Sequence, residues 1–362
     1  MPAVADQVSE LLQMGLSRWR PPPRLSLSEW ADEYARLSAE SAASAGRWRT
    51  LPYQRGMMDA FTDPTVDTVV CLKSARIGWT KILNHLVAYH IHQDPCPIMV
   101  VQPAVEDAEG YSKDEIAPMI RDTPCLQGLV SDPKAKDGNN TILSKSYPGG
   151  TLGMVGANSG RGFRRVSRRV VLFDEASAYR PISEGDQIKL GIRRSEYYWN
   201  RKIGIGSTPI LKGFDKTETW FLKTDQRRYF VPCPECSHFQ VLRWLQMKWE
   251  KDRPETACYE CENCQHRIPH SLKRWMVDRG EWRATAKAER PGLVGFHIWA
   301  GYSYSPNATW EQLVREFLEV KGDREQLQTF VNTVLGETFE DEYAASLTAE
   351  GLMARRLPIE PG

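Results

Sequence analysis

The sequence predicts an α/β fold of the P-loop (ASCE/RecA-like) class: a mostly parallel sheet with helices on both faces, plus an inserted zinc ribbon. Three observations lead to this prediction. An apolar strand runs into a loop and a helix at residues 69–81, a second apolar strand ends in Asp174 and Glu175, and two C-x-x-C pairs lie between residues 233 and 264. We expect the nucleotide at the carboxyl ends of the strands. The predicted strands, whose order one sequence does not give, are 66–72, 98–102, 152–155, 170–173 and 202–205.

The first element resembles a phosphate loop with displaced charges. A standard loop reads G-x-x-x-x-G-K-[ST]: its backbone N–H groups wrap the phosphates, its lysine meets the β/γ oxygens and its hydroxyl holds magnesium. Aligned on Gly78 and Thr80, this chain has Lys73 in place of the first glycine and Trp79 in place of the lysine. We expect Lys73 to fold back over the phosphates, with Arg76 as a further donor and the helix N-terminus adding positive potential. The predicted nucleotide-binding residues here are Lys73, Ser74, Ala75, Arg76, Ile77, Gly78, Trp79, Thr80 and Lys81.

Taken alone, that segment is equally compatible with a strand, a turn and an amphipathic helix that binds nothing. Two further strand ends favour the nucleotide site. Asp174 and Glu175 have the form of a Walker B element, in which Asp174 would bind magnesium together with Thr80 and Glu175 would polarise the attacking water. Ser207 and Thr208 end another strand and could contact the γ-phosphate. The alternatives are solvated acids at a strand end and an ordinary strand-to-turn junction.

Three more side chains are candidates for the site. Arg161 lies beside a glycine in the basic segment 161–169 and could act as an arginine finger on a neighbouring subunit's phosphates, with Arg76 as a second catalytic arginine. The alternative is a solvated basic loop. Tyr53 offers a ring to stack on adenine and Gln54 an amide to read its edge; the alternative is a helix start with a packed tyrosine.

Composition favours a large soluble enzyme. The chain has 362 residues, of which 41% are hydrophobic and 26% charged, so it can bury a full core. No apolar run reaches the roughly 18 residues that a membrane span needs, and the amino terminus is polar, so we expect a cytoplasmic protein without a membrane partner. The net charge is only +1, so contact with nucleic acid would depend on local clusters.

The eight cysteines fall into two groups. Those at positions 71, 96 and 125 are scattered and indicate buried small side chains, whereas five lie within 32 residues. Two C-x-x-C knuckles have the form of a zinc ribbon, because each short gap lets both thiolates meet one tetrahedral ion. We predict a structural Zn²⁺ held by Cys233, Cys236, Cys261 and Cys264. Cys258 would then be spare, but the pair of Cys258 and Cys261 has the same spacing and stays open.

These residues support a resemblance to the lambda-type (GpA) family of bacteriophage terminase large subunits, over nearly the whole chain. The segments that carry it are 51–55, the loop 73–81 with its lysine at the front, 206–209, 295–299 and 330–339. The resemblance implies a Mg²⁺-dependent ATPase that drives double-stranded viral DNA into a procapsid in the host cytoplasm. It also implies a homo-oligomeric ring at the portal protein, a terminase small subunit as partner, and a metal-dependent nuclease domain after the ATPase.

The resemblance suggests an organisation in three parts. Residues 1–48 would form an N-terminal arm that contacts the small subunit, residues 49–345 a P-loop ATPase domain with the zinc ribbon at about 229–270, and residues 346–362 a linker to a missing nuclease domain. We therefore assign no nuclease residues. Two rivals remain at this point: a helicase-like DNA-translocating ATPase of another class, and a non-hydrolysing DNA-binding or scaffold module in which Trp79 marks a dead phosphate loop.

Overall fold

The computed structural model describes residues 24–42, 45–130, 140–164 and 166–340. Its strands are β1 Arg36–Leu37, β2 Gly46–Arg47, β3 Thr68–Lys73, β4 Ile98–Gln102, β5 Ser144–Tyr147, β6 Gly150–Gly156, β7 Val170–Asp174, β8 Lys202–Ser207, β9 Arg227–Pro232, β10 Phe239–Val241, β11 Met247–Glu250, β12 Arg253–Glu260, β13 Arg267–Pro269, β14 Glu281–Arg283 and β15 Leu293–Ile298. The centre is a ten-stranded sheet whose strands follow the order β10-β9-β15-β3-β8-β7-β4-β6-β5, with β14 paired to β9. A two-stranded sheet (β1-β2) and a three-stranded sheet (β11-β12-β13) accompany it.

Helices cover both faces of the large sheet. The α-helices are α1 Leu27–Tyr34, α2 Pro52–Asp59, α3 Trp79–His92, α4 Val105–Tyr111, α5 Ala117–Asp122, α6 Gln187–Arg193, α7 Lys216–Phe221, α8 Lys273–Asp278, α9 Trp310–Val320 and α10 Arg324–Phe330. Two π-helical turns, Ser112–Ile116 and Val331–Leu335, follow α4 and α10. Helices α1, α2 and α3 pack on one face in the larger apolar cluster, and α6 and α7 contribute to a second cluster on the other face.

The interior of the large sheet is parallel. Strands β9, β15, β3, β8, β7, β4 and β6 run in the same direction, and antiparallel strands flank them at both edges. Every residue of β3, β4 and β7 is buried, as expected for parallel strands covered on both faces. Strand β8 lies between β3 and β7, the strands that carry the two predicted nucleotide motifs. The predicted fold class is confirmed.

Polar side chains cap the N-termini of several helices. Ser26 caps α1 through a capping box with Glu29, and the side chains of Thr309 and Asp323 accept from the amides three residues on, at the starts of α9 and α10. The last π-turn ends at Gly336, whose φ of +65° lies in the left-handed region.

The cysteine-rich region is built into the rest of the fold. Strands β9 and β10, which bracket the first knuckle, belong to the large sheet, whereas β12 leads into the second knuckle from the three-stranded sheet. Residues 1–23, 43–44 and 346–362, on which the predicted arm and linker depend wholly or in part, lie outside the described residues, so the domain limits stay predictions. None of the described helices is long and apolar enough to span a membrane.

Candidate nucleotide site

Lys73, Glu175 and Thr208 meet at the carboxyl edge of the parallel sheet. The Nζ atom of Lys73, the last residue of β3, donates to Oε1 of Glu175 at 2.8 Å and to Oγ1 of Thr208 at 3.2 Å. Oε2 of Glu175 accepts from the hydroxyl of Ser207 at 3.1 Å and from the amide of Thr208 at 3.3 Å. Three sequence-distant motifs therefore converge on one carboxylate, and the lysine displaced to the front of the loop lies among them.

Asp174 lies beside this group and faces the start of α3. Its Oδ2 accepts from the hydroxyl of Thr80 at 3.2 Å, and its side chain is buried. Burial raises the pKa of Asp174 to about 6; the neighbouring Glu175 carboxylate adds to the increase, while Lys73 and hydrogen bonds from Thr80 and Gln102 oppose it. A buried carboxylate next to a threonine hydroxyl provides the hard oxygen ligands that Mg²⁺ prefers.

The backbone is unusual at two of the motifs. Arg76 and Glu175 have φ values of +66° and +49°, left-handed conformations that non-glycine residues adopt infrequently and that cluster at functional sites. Gly78 has φ +85° and forms the N-cap of α3, where the first turn of the helix leaves amides without intrahelical partners. Because α3 begins directly after the loop that follows β3, its N-terminus lies at the carboxyl edge of the sheet, and free amides at a helix N-terminus can bind an anion.

The side chain of Trp79 points into the core, not toward the loop. It is 1% exposed, and a Cβ atom placed on Gly206 would lie 2.2 Å from its indole ring. Ile77 is buried as well. This corrects the prediction for both side chains: at these two positions only the backbone remains available to a phosphate.

The structure also corrects the roles predicted for Tyr53 and Gln54. The Tyr53 ring is 1% exposed and packs edge-on against the rings of Tyr229 and Tyr304, so neither face is open to a base. Gln54 donates from Nε2 to the carbonyl of Ile77 at 2.8 Å and accepts at Oε1 from the amide of Leu51 at 3.0 Å. The Gln54 side chain therefore joins the start of α2 to the backbone of the phosphate loop.

Three predicted cations lie apart from the carboxylate pair in this structure. Arg76 donates to the carbonyl of Asn307 at 3.0 Å and pairs with Glu316 of α9 at 3.4 Å. Lys81 pairs with Glu115 of the first π-turn at 2.5 Å. Arg161 is exposed in the turn after β6, and β4 separates β6 from the Asp174 strand. Within the described part of the chain, the Arg161 guanidinium makes no ion pair or hydrogen bond.

Sequence reasoning missed several residues that shape the site. Gln102, at the end of β4, is buried and acts to lower the pKa of the Asp174 carboxyl. Glu115 accepts hydrogen bonds from both Lys81 and Asn84. The amides of Ser74 and Ala75 donate to the carbonyls of Ile298 and Thr333, which come from the far end of the chain. Only the position of Gln102 after an apolar strand could have been noticed in the sequence.

The four predicted cysteine ligands form one cluster. The sulfur atoms of Cys233, Cys236, Cys261 and Cys264 all lie within 4.8 Å of one another. Cys233 and Cys261 each accept at the carbonyl from the amide four residues on and donate from the amide to the carbonyl five residues on, so the knuckles repeat the same turn. Cys258 lies elsewhere, with its thiol 3.6 Å from the carbonyl of Lys248. The sulfur positions therefore favour Cys264 over Cys258 as the fourth predicted ligand.

Comparison with known proteins identifies the family of this chain. Residues 42–282 match the family model described as phage terminase large subunit gpA, ATPase domain. The chain belongs to this family. The resemblance seen in the sequence is thereby confirmed.

A second gpA model, described as the endonuclease domain of the terminase large subunit, matches residues 293–362. Its first matched residues form β15, which pairs with β3 and β9 inside the large sheet. The match to the second model therefore begins within the sheet that carries the nucleotide motifs.

Two curated relatives cover nearly all of this gpA-family chain. The terminase large subunit of Enterobacteria phage P21 is 34% identical over 358 residues, which is 92% of this chain and 55% of the relative. That of Escherichia phage lambda is 32% identical over 378 residues, 97% of this chain and 58% of the relative. The chain thus spans somewhat more than half the length of these relatives.

Solved structures of large terminases are also similar. The ATPase domain of the Thermus phage P74-26 large terminase has a TM-score of 0.45 at 13% identity, over 78% of this chain and 92% of that one. The large terminase of bacteriophage HK97 has a TM-score of 0.40 at 16% identity, over 51% and 37% of the two chains.

Proposed function

We propose that this chain is the ATPase part of a motor that hydrolyses ATP with Mg²⁺ to translocate double-stranded viral DNA into a procapsid. Membership of the gpA ATPase family supports the class of protein. The single observation that supports the chemistry is the meeting of Lys73, Glu175 and Thr208 beside the Thr80–Asp174 pair.

In this proposal, Lys73 holds the triphosphate. Its ammonium lies at the carboxyl edge of the sheet, where α3 begins, and its side chain is only 8% exposed, so its charge is poorly screened by water. An arriving phosphate would share or replace Glu175 as the partner of the ammonium. The lysine can therefore do from the front of the loop what the usual lysine does from its end.

Thr80 and Asp174 would hold the magnesium ion. When bound, Mg²⁺ neutralises the charge that develops on the transferred phosphoryl group. The burial that raises the pKa of Asp174 also keeps its oxygens away from competing water.

Glu175 would orient the attacking water. Lys73, Ser207 and Thr208 fix its carboxylate from three sides, which restricts its rotamers and its position. Because Thr208 contacts both Lys73 and Glu175, the loop after β8 is placed to respond when the γ-phosphate leaves.

The remaining partners follow from the family and are part of the proposal. Arg161 is exposed and would act on the nucleotide of the next subunit in a homo-oligomeric ring, whereas Arg76 would have to leave Glu316 to reach a phosphate. The ring would work at the portal protein with a terminase small subunit, in the host cytoplasm. Nuclease activity would belong to the full-length protein.

The four clustered cysteines would hold Zn²⁺. Four thiolates within 4.8 Å of one another suit the tetrahedral coordination of a structural zinc ion. The ion would connect the first cysteine pair, next to the large sheet, to the second cysteine pair, next to the three-stranded sheet. We assign it a scaffolding role.

The test is ATP turnover by the purified chain, measured with and without Mg²⁺ and with and without double-stranded DNA. We expect Mg²⁺-dependent turnover that falls by orders of magnitude in Glu175→Gln while ATP binding stays largely intact. ATP binding without turnover would favour the non-hydrolysing module. Turnover in Glu175→Gln close to the unchanged rate would refute the role given to that residue.

A further inference from the structure

The phosphate loop and the loop after β8 are joined by a third segment, residues 331–337. This segment consists of the second π-turn and the residues that follow it, and it comes from the opposite end of the chain. It contacts both loops through hydrogen bonds to their backbones. Together with the Lys73–Thr208 contact, these bonds connect the two loops and residues 331–337 in a closed series of contacts.

On the phosphate-loop side, the contacts are short and leave little room. The amide of Ala75 donates to the carbonyl of Thr333 at 2.8 Å. A Cβ atom on Gly336 would lie 2.6 Å from the amide nitrogen of Ser74, so the segment follows the loop backbone closely. His297 adds a hydrogen bond of 3.0 Å to the carbonyl of Gly336. Residues 333–336 therefore fix the position of the backbone at the start of the phosphate loop.

On the other side, one buried side chain makes the connection. Nδ2 of Asn332 donates to the carbonyl of Ile210 at 2.8 Å and to the carbonyl of Glu337 at 2.8 Å. Because both partners are carbonyl oxygens, the amide orientation is fixed and both its hydrogens are used. Ile210 lies two residues beyond Thr208, and its carbonyl also accepts from the amide of Phe339 at 2.8 Å.

We infer that Asn332 is a positioning residue for ATP hydrolysis, holding the loop after β8 in register with the phosphate loop. The inference depends on the proposed ATPase function of this site. Asn332 touches no phosphate-binding or water-orienting side chain itself. It acts by fixing the distance between Lys73 and Thr208, on which the placement of the Glu175 carboxylate depends.

The local geometry explains why asparagine suits this position. Asn332 lies in the π-turn and its side chain reaches Ile210, and such turns occur frequently at functional sites. Alanine would leave the carbonyls of Ile210 and Glu337 without these donors. Aspartate would keep the shape but set a carboxylate against two carbonyl oxygens.

The test compares Asn332→Ala with Thr338→Ala in the full chain. Thr338 lies six residues on, and its hydroxyl donates to Glu218 of α7 at 2.6 Å, so the control removes a hydrogen bond from the same region without reaching either loop. Hydrogen–deuterium exchange without nucleotide should show faster exchange at residues 73–76 and 207–212 in Asn332→Ala only. ATP turnover should show kcat lowered about 10- to 100-fold in Asn332→Ala, with a smaller change in ATP affinity.

Exchange and turnover together distinguish failure of the proposed function from failure of the inference about Asn332. If the unchanged protein hydrolyses no ATP, the proposed function fails, and exchange at the two loops still decides whether Asn332 holds them. Unchanged exchange in Asn332→Ala, or an equal increase in Thr338→Ala, would overturn the inference. Should Asn332→Ala not fold, Asn332→Asp replaces it: its protonated carboxyl can still donate, so protection of both loops should fall with rising pH only in that variant. Protection independent of pH would equally overturn the inference.

Discussion

Replacing Lys73 with alanine removes the ammonium group that contacts Glu175. Hydrogen bonds to charged groups contribute about 1.5–3 kcal/mol each, and 1.4 kcal/mol corresponds to a factor of ten, so losing one phosphate contact should weaken ATP binding roughly 10- to 150-fold. The upper part of that range is favoured because the Lys73 side chain is only 8% exposed. Loss of the ammonium would also remove a charge that lowers the pKa of Asp174, so that carboxyl would be protonated at a higher pH.

The assay is isothermal titration calorimetry with Mg²⁺ and a non-hydrolysable ATP analogue. Lys81→Ala is the matched control, because Lys81 is a lysine of the same motif, in the first turn of α3, but pairs with Glu115 at 2.5 Å, and it should show the smaller loss. Thermal unfolding of each variant establishes that the protein is folded. Undiminished affinity in a folded Lys73→Ala variant, or an equal loss in both variants, would refute the assignment of Lys73.

Three further predictions concern packing, metal and pH. Gly206→Ala should destabilise the protein by about 1–3 kcal/mol in urea, because its Cβ atom would lie 2.2 Å from the Trp79 ring; an unchanged midpoint would contradict this packing. Cys236→Ser should lose bound zinc by mass spectrometry and Cys258→Ser should retain it; zinc loss from both would argue against the ligand set. Burial lowers the pKa of Lys273 to about 7. The cost of burying the charged ammonium therefore lowers the free energy of unfolding by its full amount below pH 7, and this loss disappears as the pH rises to the unfolded-state pKa of about 10.4. Lys273→Met also removes the 2.8 Å hydrogen bond from Nζ to the carbonyl of Ala308, so the variant should gain stability relative to the unchanged protein near pH 7 and lose that gain by pH 10; urea unfolding that gives the same difference at both pH values would be inconsistent.

Much of the fold could be predicted because its signals are local. The buried parallel strands are continuous apolar runs, and their ends carry the polar motifs, so Asp174 and Thr208 could be placed at one edge from sequence alone. The caps at Thr309 and Asp323 depend on residues three positions apart. Features of this kind need no knowledge of the distant chain.

The errors concern side chains whose environment is set by distant residues. Trp79, at the start of α3, is buried because Gly206 on strand β8 leaves room for its ring. Tyr53 is buried because Tyr229 and Tyr304 fold over it. Neither local pattern nor residue type distinguishes a ring that stacks on a base from a ring that fills a core.

The choice between cysteine pairs and the role of residues 331–337 were beyond sequence reasoning for a related reason. Cys258 and Cys264 have the same spacing from Cys261, and only the strand pairing of β12 separates them. Gly336 ends the second π-turn in a left-handed conformation, but the contact of this segment with the amide of Ala75 depends on the return of β15 to the large sheet.

An experimental structure with Mg²⁺ and a non-hydrolysable ATP analogue would test the proposed nucleotide site most directly. We expect the γ-phosphate in contact with Nζ of Lys73, the metal ion between Thr80 and Asp174, and the water-facing carboxylate of Glu175 on the far side of that phosphate. A nucleotide bound elsewhere, or phosphates held at this edge without Lys73, would contradict it.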